Sequence, residues 1–120
     1  MQAWLAPDGK TLLGDTGAGA YVLTSIGGAS TTTVRGLMSA DTVSGWSSDV
    51  RSVVVNAGNA VPARVESVDV ATGIRTFMRE IAPPDRDGVW QVTVTQWLDH
   101  DHVYHYSRNA DAIFVVKEKT

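Results

Sequence analysis

Three histidines and two aspartates fall within one short segment of this chain. The segment reads Asp99-His100-Asp101-His102-Val103-Tyr104-His105. Imidazole and carboxylate groups are common ligands of zinc and related cations. On a β-strand, His100 and His102 would point to the same face, a spacing found in histidine metal sites, whereas His105 would need a bulge to join them. A solvated polar turn explains the same composition without a ligand. We therefore predict no metal and keep His100 and His102 as the alternative metal pair.

Other catalytic patterns are weaker. Asp85-Arg86-Asp87-Gly88 begins like a calcium loop, but it lacks the third acidic position and the distal glutamate, so we interpret it as a turn. No Gly-x-Ser-x-Gly elbow for a nucleophilic serine occurs, and Ser47 is better explained as a turn residue. We predict no catalytic residues, no cofactor and no enzymatic activity.

The tryptophans divide into two groups. Trp4, Trp46 and Trp97 lie in or beside strand-like runs at comparable places in the chain, which favours packing between sheets with the indole donor satisfied. Trp90 falls outside that pattern and, if exposed, is the best single contact residue. The candidate binding residues are Trp90, Trp97, His100 and His102.

Composition limits the classes of function. The 120 residues (12.8 kDa) are enough for one domain with a modest core. The net charge of -3 and the lack of a Lys/Arg cluster argue against nucleic acid as a partner. There is no cysteine, hence no disulfide or thiolate metal site. No apolar stretch approaches the ~20 residues of a membrane helix, so we predict no membrane partner and a cytoplasmic location.

The elements that must position these residues are short strands. β-prone runs alternate with turns rich in glycine, asparagine and aspartate, and tandem prolines at Pro83-Pro84 interrupt the pattern. We predict strands at 11–14, 20–24, 31–35, 42–46, 52–56, 63–70, 74–80, 90–97, 103–107 and 112–117. Only Arg75–Ile81 could form a helical turn, and the prolines follow too soon for a stable helix. The predicted class is all-β and antiparallel.

Two of the predicted turns repeat each other. Trp4-Leu5-Ala6-Pro7-Asp8-Gly9-Lys10-Thr11 and Trp46-Ser47-Ser48-Asp49-Val50-Arg51-Ser52 both place a polar turn between apolar strands. Their spacing is close to the ~40–45 residue period of a propeller blade. We therefore divide the chain into three repeats, approximately 1–37, 38–82 and 88–120.

Several further segments strengthen the propeller interpretation. These are Val68–Arg75, Arg79–Val89, Tyr104–Arg108 and Ala112–Val116. Together with the Pro-Asp-Gly turn they resemble the last blades of TolB-like β-propellers, the WD-like repeat domains often found C-terminal to bacterial serine/threonine kinase domains. The resemblance implies four-stranded antiparallel blades. It also implies that the turn near Trp97–His102, which has lost the Asp-Gly signature, is degenerate.

The number of repeats determines what we expect of the assembly. Closed propellers usually have ~4–8 blades, so three repeats would form about half of a ring. Such a chain exposes apolar blade faces, and the last strand, with Ile113, Phe114 and Val115, has no fourth strand after it. We expect self-association, with a homodimer favoured and a tetramer as the alternative. A small β-sandwich or open barrel is the alternative fold.

These observations favour a non-catalytic interaction or ligand-binding module, a half-propeller that self-associates and offers its loops to another protein or a small ligand. The alternative is a metal-dependent or hydrolytic activity that uses the His100–His105 segment at a subunit boundary.

Overall fold

A computed structural model describes residues 2–17, 19–27, 30–109 and 113–120. In these ranges the chain forms strands and no helix. The strands are β1 (Ala3–Leu5), β2 (Thr11–Asp15), β3 (Tyr21–Ser25), β4 (Thr31–Thr33), β5 (Asp41–Trp46), β6 (Ser52–Ala57), β7 (Ala63–Asp69), β8 (Arg75–Ile81), β9 (Val89–Trp97), β10 (Asp101–Arg108) and β11 (Ile113–Lys119). The prediction of an all-β fold is confirmed, and Arg75–Ile81 is a strand rather than a helical turn.

The strands form three antiparallel meanders in chain order. The first sheet is β1-β2-β3-β4, the second is β5-β6-β7-β8, and the third is β9-β10-β11. Every neighbouring pair is antiparallel. The three sheets lie within the segments 1–37, 38–82 and 88–120. Ala112, which we expected to begin the last strand, lies outside the described residues.

The second sheet lies between the other two, and its alternating side chains enter two separate cores. Val53 and Val55 of β6 belong to a core shared with the first sheet, which also contains Leu13 and Tyr21. Val54, between them in sequence, belongs to a core shared with the third sheet. Because successive strand residues point to opposite faces, one valine-rich strand supplies both cores.

Buried polar groups fix the junction between the second and third sheets. Asn56 is 1% exposed, and its Oδ1 accepts a hydrogen bond from the backbone N–H of Val94 at 2.7 Å. Ser44 Oγ donates to the carbonyl oxygen of Val94 at 2.6 Å. Buried polar groups cost free energy unless paired, so these bonds restrict how β9 can sit on the second sheet.

The two repeated turns have the same hydrogen bonds. The N–H of Ala6 donates to the carbonyl of Thr11, and the N–H of Ser47 donates to the carbonyl of Ser52, each at 2.8–2.9 Å. Asp8 and Asp49 accept bonds from the backbone N–H two residues later. These matching contacts confirm the turn equivalence that the sequence pattern indicated. In the third sheet the corresponding hairpin is shorter, with Leu98 N–H donating to Asp101.

An ion-pair cluster joins the β4–β5 connection to the second sheet. Arg75 donates to both carboxylate oxygens of Asp41, at 2.7 and 3.0 Å, and to Glu66 at 2.8 Å. It also donates to the carbonyl of Gly36 at 2.8 Å. Gly36 has a φ of 85°, and a Cβ there would overlap the carbonyl oxygen of Gly73. Glycine is therefore needed where this connection crosses the second sheet.

The three stacked sheets give an elongated molecule. Its principal dimensions are 49 × 30 × 24 Å, and its radius of gyration is 14.9 Å, against about 13.6 Å for a compact domain of this length. The accessible surface is 6988 Å², which is about 700 Å² more than the ~6,300 Å² of a typical monomer of this mass. The chain exposes extra surface because its end sheets are covered on one face only.

Candidate interaction site

The last strand is far more exposed than its counterparts. Strand β11 is the third strand of its sheet, as β3 and β7 are of theirs, and those two strands are mostly buried or half-buried. In β11, by contrast, Ile113 and Val115 are each 64% exposed and Phe114 is 41% exposed. Three consecutive exposed apolar residues are unusual on a strand unless the strand binds something.

The backbone of β11 is paired on one side only. Ile113 lies opposite Ser107 and Lys119 lies opposite Asp101, so β10 pairs with the whole strand. In the first and second sheets a fourth strand, β4 or β8, covers the corresponding edge. No described strand pairs with the other edge of β11, which we call the free edge.

The outer face of the first sheet is uncharged. By strand register, the residues on this face are Ala3, Leu5, Leu12, Gly14, Val22, Thr24, Thr31 and Thr33. Leu5 is 55% exposed, and Leu12 and Val22 are half-buried. Solvated sheet faces are normally rich in charged side chains, so an uncharged Val/Leu/Thr face is more typical of a surface that another sheet covers.

The outer face of the third sheet has a similar character. Its central residues are Gln91, Thr93, His105, Ser107, Ile113 and Val115. A shallow depression of ≈ 190 Å³ lies on this face, lined by residues that include Gln91, Thr93, His105 and Ile113. Among the described residues of this face, charges appear toward one end, where Lys117 contacts Asp101 at 3.4 Å. The sequence analysis did not identify His105 and its neighbours as a surface. The alternation of side chains along β9 and along β10 was the signal that could have placed them on one face.

A groove runs across the first strands of the three sheets. It has a volume of ≈ 380 Å³, and Trp4, Trp46 and Trp97 are among its lining residues. The predicted packing role fits the geometry, since Trp46 is 9% and Trp97 is 5% exposed. The indole N–H of Trp46 donates to the carbonyl of Trp4 at 3.0 Å, which satisfies that donor. At this point β5 and β9 approach so closely that a Cβ on Gly45 would lie 2.7 Å from the Trp97 carbonyl oxygen.

Trp90 lies apart from this groove. Its side chain is 60% exposed, and its indole N–H donates to the carbonyl of Asn109 at 2.9 Å. The hydrogen bond holds the ring against the β10–β11 connection and leaves much of its surface accessible. Trp90 therefore remains a candidate contact residue.

The histidines of the metal hypothesis have different surroundings. His100 lies in the turn before β10 with a 79% exposed side chain, whereas His102 is fully buried. His102 Nδ1 lies 3.1 Å from Thr120 Oγ1, and its Nε2 lies 2.9 Å from Glu118 Oε1. Both ring nitrogens thus already have protein partners. Among the described residues, no group of three or more His, Asp or Glu side chains is placed to hold a metal ion.

His102 begins a row of aromatic rings on the inner face of the third sheet. It stacks on Trp97 with the ring centroids 4.7 Å apart, and the row continues through Tyr104 and Tyr106 to Phe114. Burial raises the pKa of Tyr104, with a smaller contribution from the Glu118 charge. The Tyr104 hydroxyl has no hydrogen-bond partner among the described residues. The row connects the core to β11 and holds that strand in place from one face.

The Arg75 cluster was not predicted, because its members are far apart in sequence. Hydrogen bonds to Asp41 and then to Glu66 raise the pKa of Arg75. The Arg75 bond, followed by that of Arg64, lowers the pKa of Glu66. The side chains of Asp41, Glu66 and Arg75 are at most 16% exposed, so we interpret the cluster as structural.

Comparisons with protein families, curated proteins and solved structures give no match. The likeness to TolB-like blades therefore stays a prediction from the residues.

Within the described part of the chain, no helical segment has the length and apolar character that crossing a bilayer requires.

Proposed function

We propose that this chain is a non-catalytic interaction module that self-associates, with a second copy covering surface at the ends of its stack of sheets. The proposal follows from a single observation. The second sheet is covered on both faces by neighbouring sheets, whereas the first sheet leaves an uncharged Val/Leu/Thr-rich face exposed and the third sheet leaves a largely uncharged polar and apolar face exposed, together with β11. Burial of such surface is the main driving force for association between proteins.

The size of the exposed surface is sufficient for a dimer. The excess of about 700 Å² over a compact monomer is close to the ~800 Å² per partner that a stable interface of standard size buries. Identical chains most often associate about a two-fold axis, so a homodimer is the favoured assembly. If the first and third sheets each made a separate contact, the same surfaces would give a tetramer.

The three meanders are also what a half-propeller would contain, and we propose that architecture. Two chains would then supply six blades, and closing them into a ring would place the first sheet of one copy against the third sheet of the other. The order of the strands and the double-sided core of the second sheet support this proposal. The groove beside Trp4, Trp46 and Trp97 would line the centre of such a ring, where a small ligand could bind.

Sedimentation equilibrium over ~1–200 µM protein tests the proposal, since transient interfaces dissociate in this range. We expect a concentration-dependent mass that reaches twice the chain mass of 12.8 kDa. A folded chain that stays monomeric throughout this range would overturn self-association. Circular dichroism on the same samples verifies that the chain is folded as a β protein.

A further inference from the structure

We infer that two copies associate by antiparallel pairing of β11 with β11, so that their third sheets become one continuous six-stranded sheet. This inference rests on the proposed self-association. It assigns the contact to the free edge of β11, as the alternative to a ring in which the first sheet of one copy meets the third sheet of the other. Strand addition at an exposed sheet edge is a general mode of protein recognition, because the backbone supplies hydrogen bonds and the side chains on both faces supply packing.

The hydrogen-bond pattern shows which backbone groups are available. The N–H of Thr120 donates to the carbonyl of His100 at 3.1 Å. In an antiparallel pair, hydrogen-bonded and non-hydrogen-bonded residue pairs alternate. Thr120 and His100 therefore form a hydrogen-bonded pair, and such pairs recur every second residue along β11. Val116, which lies opposite Tyr104, is in this series, so its N–H and C=O groups point toward β10. Those of Ile113, Val115 and Lys117 point to the free edge, where they can bond to an added strand.

The side chains favour edge pairing over contact through the outer face alone. Ile113 and Val115 lie on the outer face, whereas Phe114 lies on the inner face and stacks on Tyr106 with the centroids 5.1 Å apart. A partner that covers only the outer face would leave Phe114, which is 41% exposed, uncovered. A strand placed beside β11 extends both faces of the sheet and covers all three residues.

The strand is complementary to itself. With the two-fold axis at Val115, Phe114 lies opposite Val116 of the second copy, and Ile113 lies opposite Lys117 of the second copy. Cross-strand pairs of an aromatic with a β-branched residue are favourable, and this register puts no like charges directly opposite each other. Antiparallel addition also continues the pattern of every sheet in the chain. These features favour a second copy over an unrelated peptide as the occupant.

Proline scanning at the free edge tests the pairing. Val115→Pro removes an N–H that points away from β10, so the bonds within the sheet are retained while the pairing bond is lost. We expect the dimer dissociation constant to rise at least ~10-fold. Val115→Thr keeps the N–H and the branched shape, and we expect it to remain dimeric. Thr93→Glu places a charge on the outer face, away from the free edge, and should change the dissociation constant less than ~3-fold.

Single cysteines give a second readout that does not depend on affinity. The natural chain has no cysteine, so each variant carries only one. In the inferred register, residue 115 faces its own copy across the axis with Cα atoms about 5.5 Å apart. Val115→Cys should therefore form a covalent dimer with a short bismaleimide crosslinker. Ile113→Cys, which is equally exposed but faces Lys117, should not.

The outcomes separate the two proposals. A wild-type chain that is monomeric overturns both. A wild-type dimer that survives Val115→Pro, dissociates on Thr93→Glu and gives no Val115→Cys crosslink overturns the edge pairing and leaves self-association through the sheet faces. A dimer that is lost in Val115→Pro and crosslinked at residue 115 confirms the inference.

Discussion

Strands β7 and β11 are both third strands of antiparallel meanders, yet their environments differ. In β7, Ala63, Val65 and Val68 are fully buried between the second and third sheets or against the first. In β11, the apolar residues Ile113, Phe114 and Val115 are exposed. Both strands are rich in apolar and β-branched residues, so β propensity alone does not distinguish them.

The difference arises from position in the stack. The second sheet has a neighbour on each face and a fourth strand at its edge, so the apolar residues of β6 and β7 are buried or half-buried within the chain, and exposed apolar residues such as Phe77 and Met78 lie on the outermost strand β8. The third sheet has a neighbour on one face and no described fourth strand. The same kind of strand therefore contributes to stability in the second sheet and is available for association in the third.

The largest difference in stability between the second and third sheets is expected when a charged side chain is removed from each. Replacing Arg75 by Met leaves the Asp41 carboxylate, whose side chain is 3% exposed, without its cation. We expect Arg75→Met to lower the free energy of unfolding by about 3 kcal/mol, as for other buried pairs that lose one partner. Lys117→Met is the matched change in the third sheet. Lys117 is 70% exposed, so we expect a change within ~0.5 kcal/mol. Urea denaturation followed by circular dichroism measures both.

The pH dependence of the same variant gives an independent check. The pKa of Glu66 is lowered in the folded state, chiefly by its bond to Arg75. Its stabilising contribution is present above the unfolded value of about 4.3 and is lost as the pH falls through the lower folded value. Arg75→Met should therefore reduce the loss of stability on acidification, and adding Glu66→Gln should reduce it little further. An unchanged acid profile would contradict the role assigned to the cluster.

A smaller difference in the free energy of unfolding is expected when a valine is truncated in β7 and in β11. Val65 in β7 has no exposed surface, and Val115 in β11 is 64% exposed. We expect Val65→Ala to cost about 2 kcal/mol, because it removes methyl groups and leaves a cavity in the core shared with the third sheet. Val115→Ala should cost less than ~0.5 kcal/mol when measured at a concentration where the chain is monomeric. Equal costs would mean that β11 is covered within the chain.

The features that depend on neighbouring residues could be predicted from the sequence, whereas contacts between residues far apart in the chain could not. Strands and turns depend on local patterns, which is why every predicted strand is found and why the turns at Asp8 and Asp49 have matching hydrogen bonds. The pairing of Arg75 with Asp41 joins β8 to β5 and needs the tertiary fold, so no local signal revealed it. His102 shows the limit only in part. Its stacking on Trp97 lies within the β9–β10 hairpin, but its ring nitrogens contact Glu118 and Thr120, which the local pattern does not reveal.

The smallest expected effect concerns the two repeated turns. Val50 in the second sheet has a φ of 62°, and Gly9 occupies the equivalent place in the first with a φ of 69°. A β-branched residue in the left-handed region is strained, typically by about 1–2 kcal/mol, whereas asparagine tolerates it better. Val50 also packs against the first core, which offsets part of that strain. We expect Val50→Asn to raise the free energy of unfolding by about 0.5 kcal/mol.

The reciprocal change is Gly9→Val. It introduces the same backbone strain at a place where a Cβ meets no atom within 4 Å, so it should lower the free energy of unfolding by about 1–2 kcal/mol. If Val50→Asn is destabilising, the packing of Val50 against the first core stabilises the fold by more than its backbone strain costs. The strained turn would then be retained because its side chain is half-buried against the core of the first and second sheets.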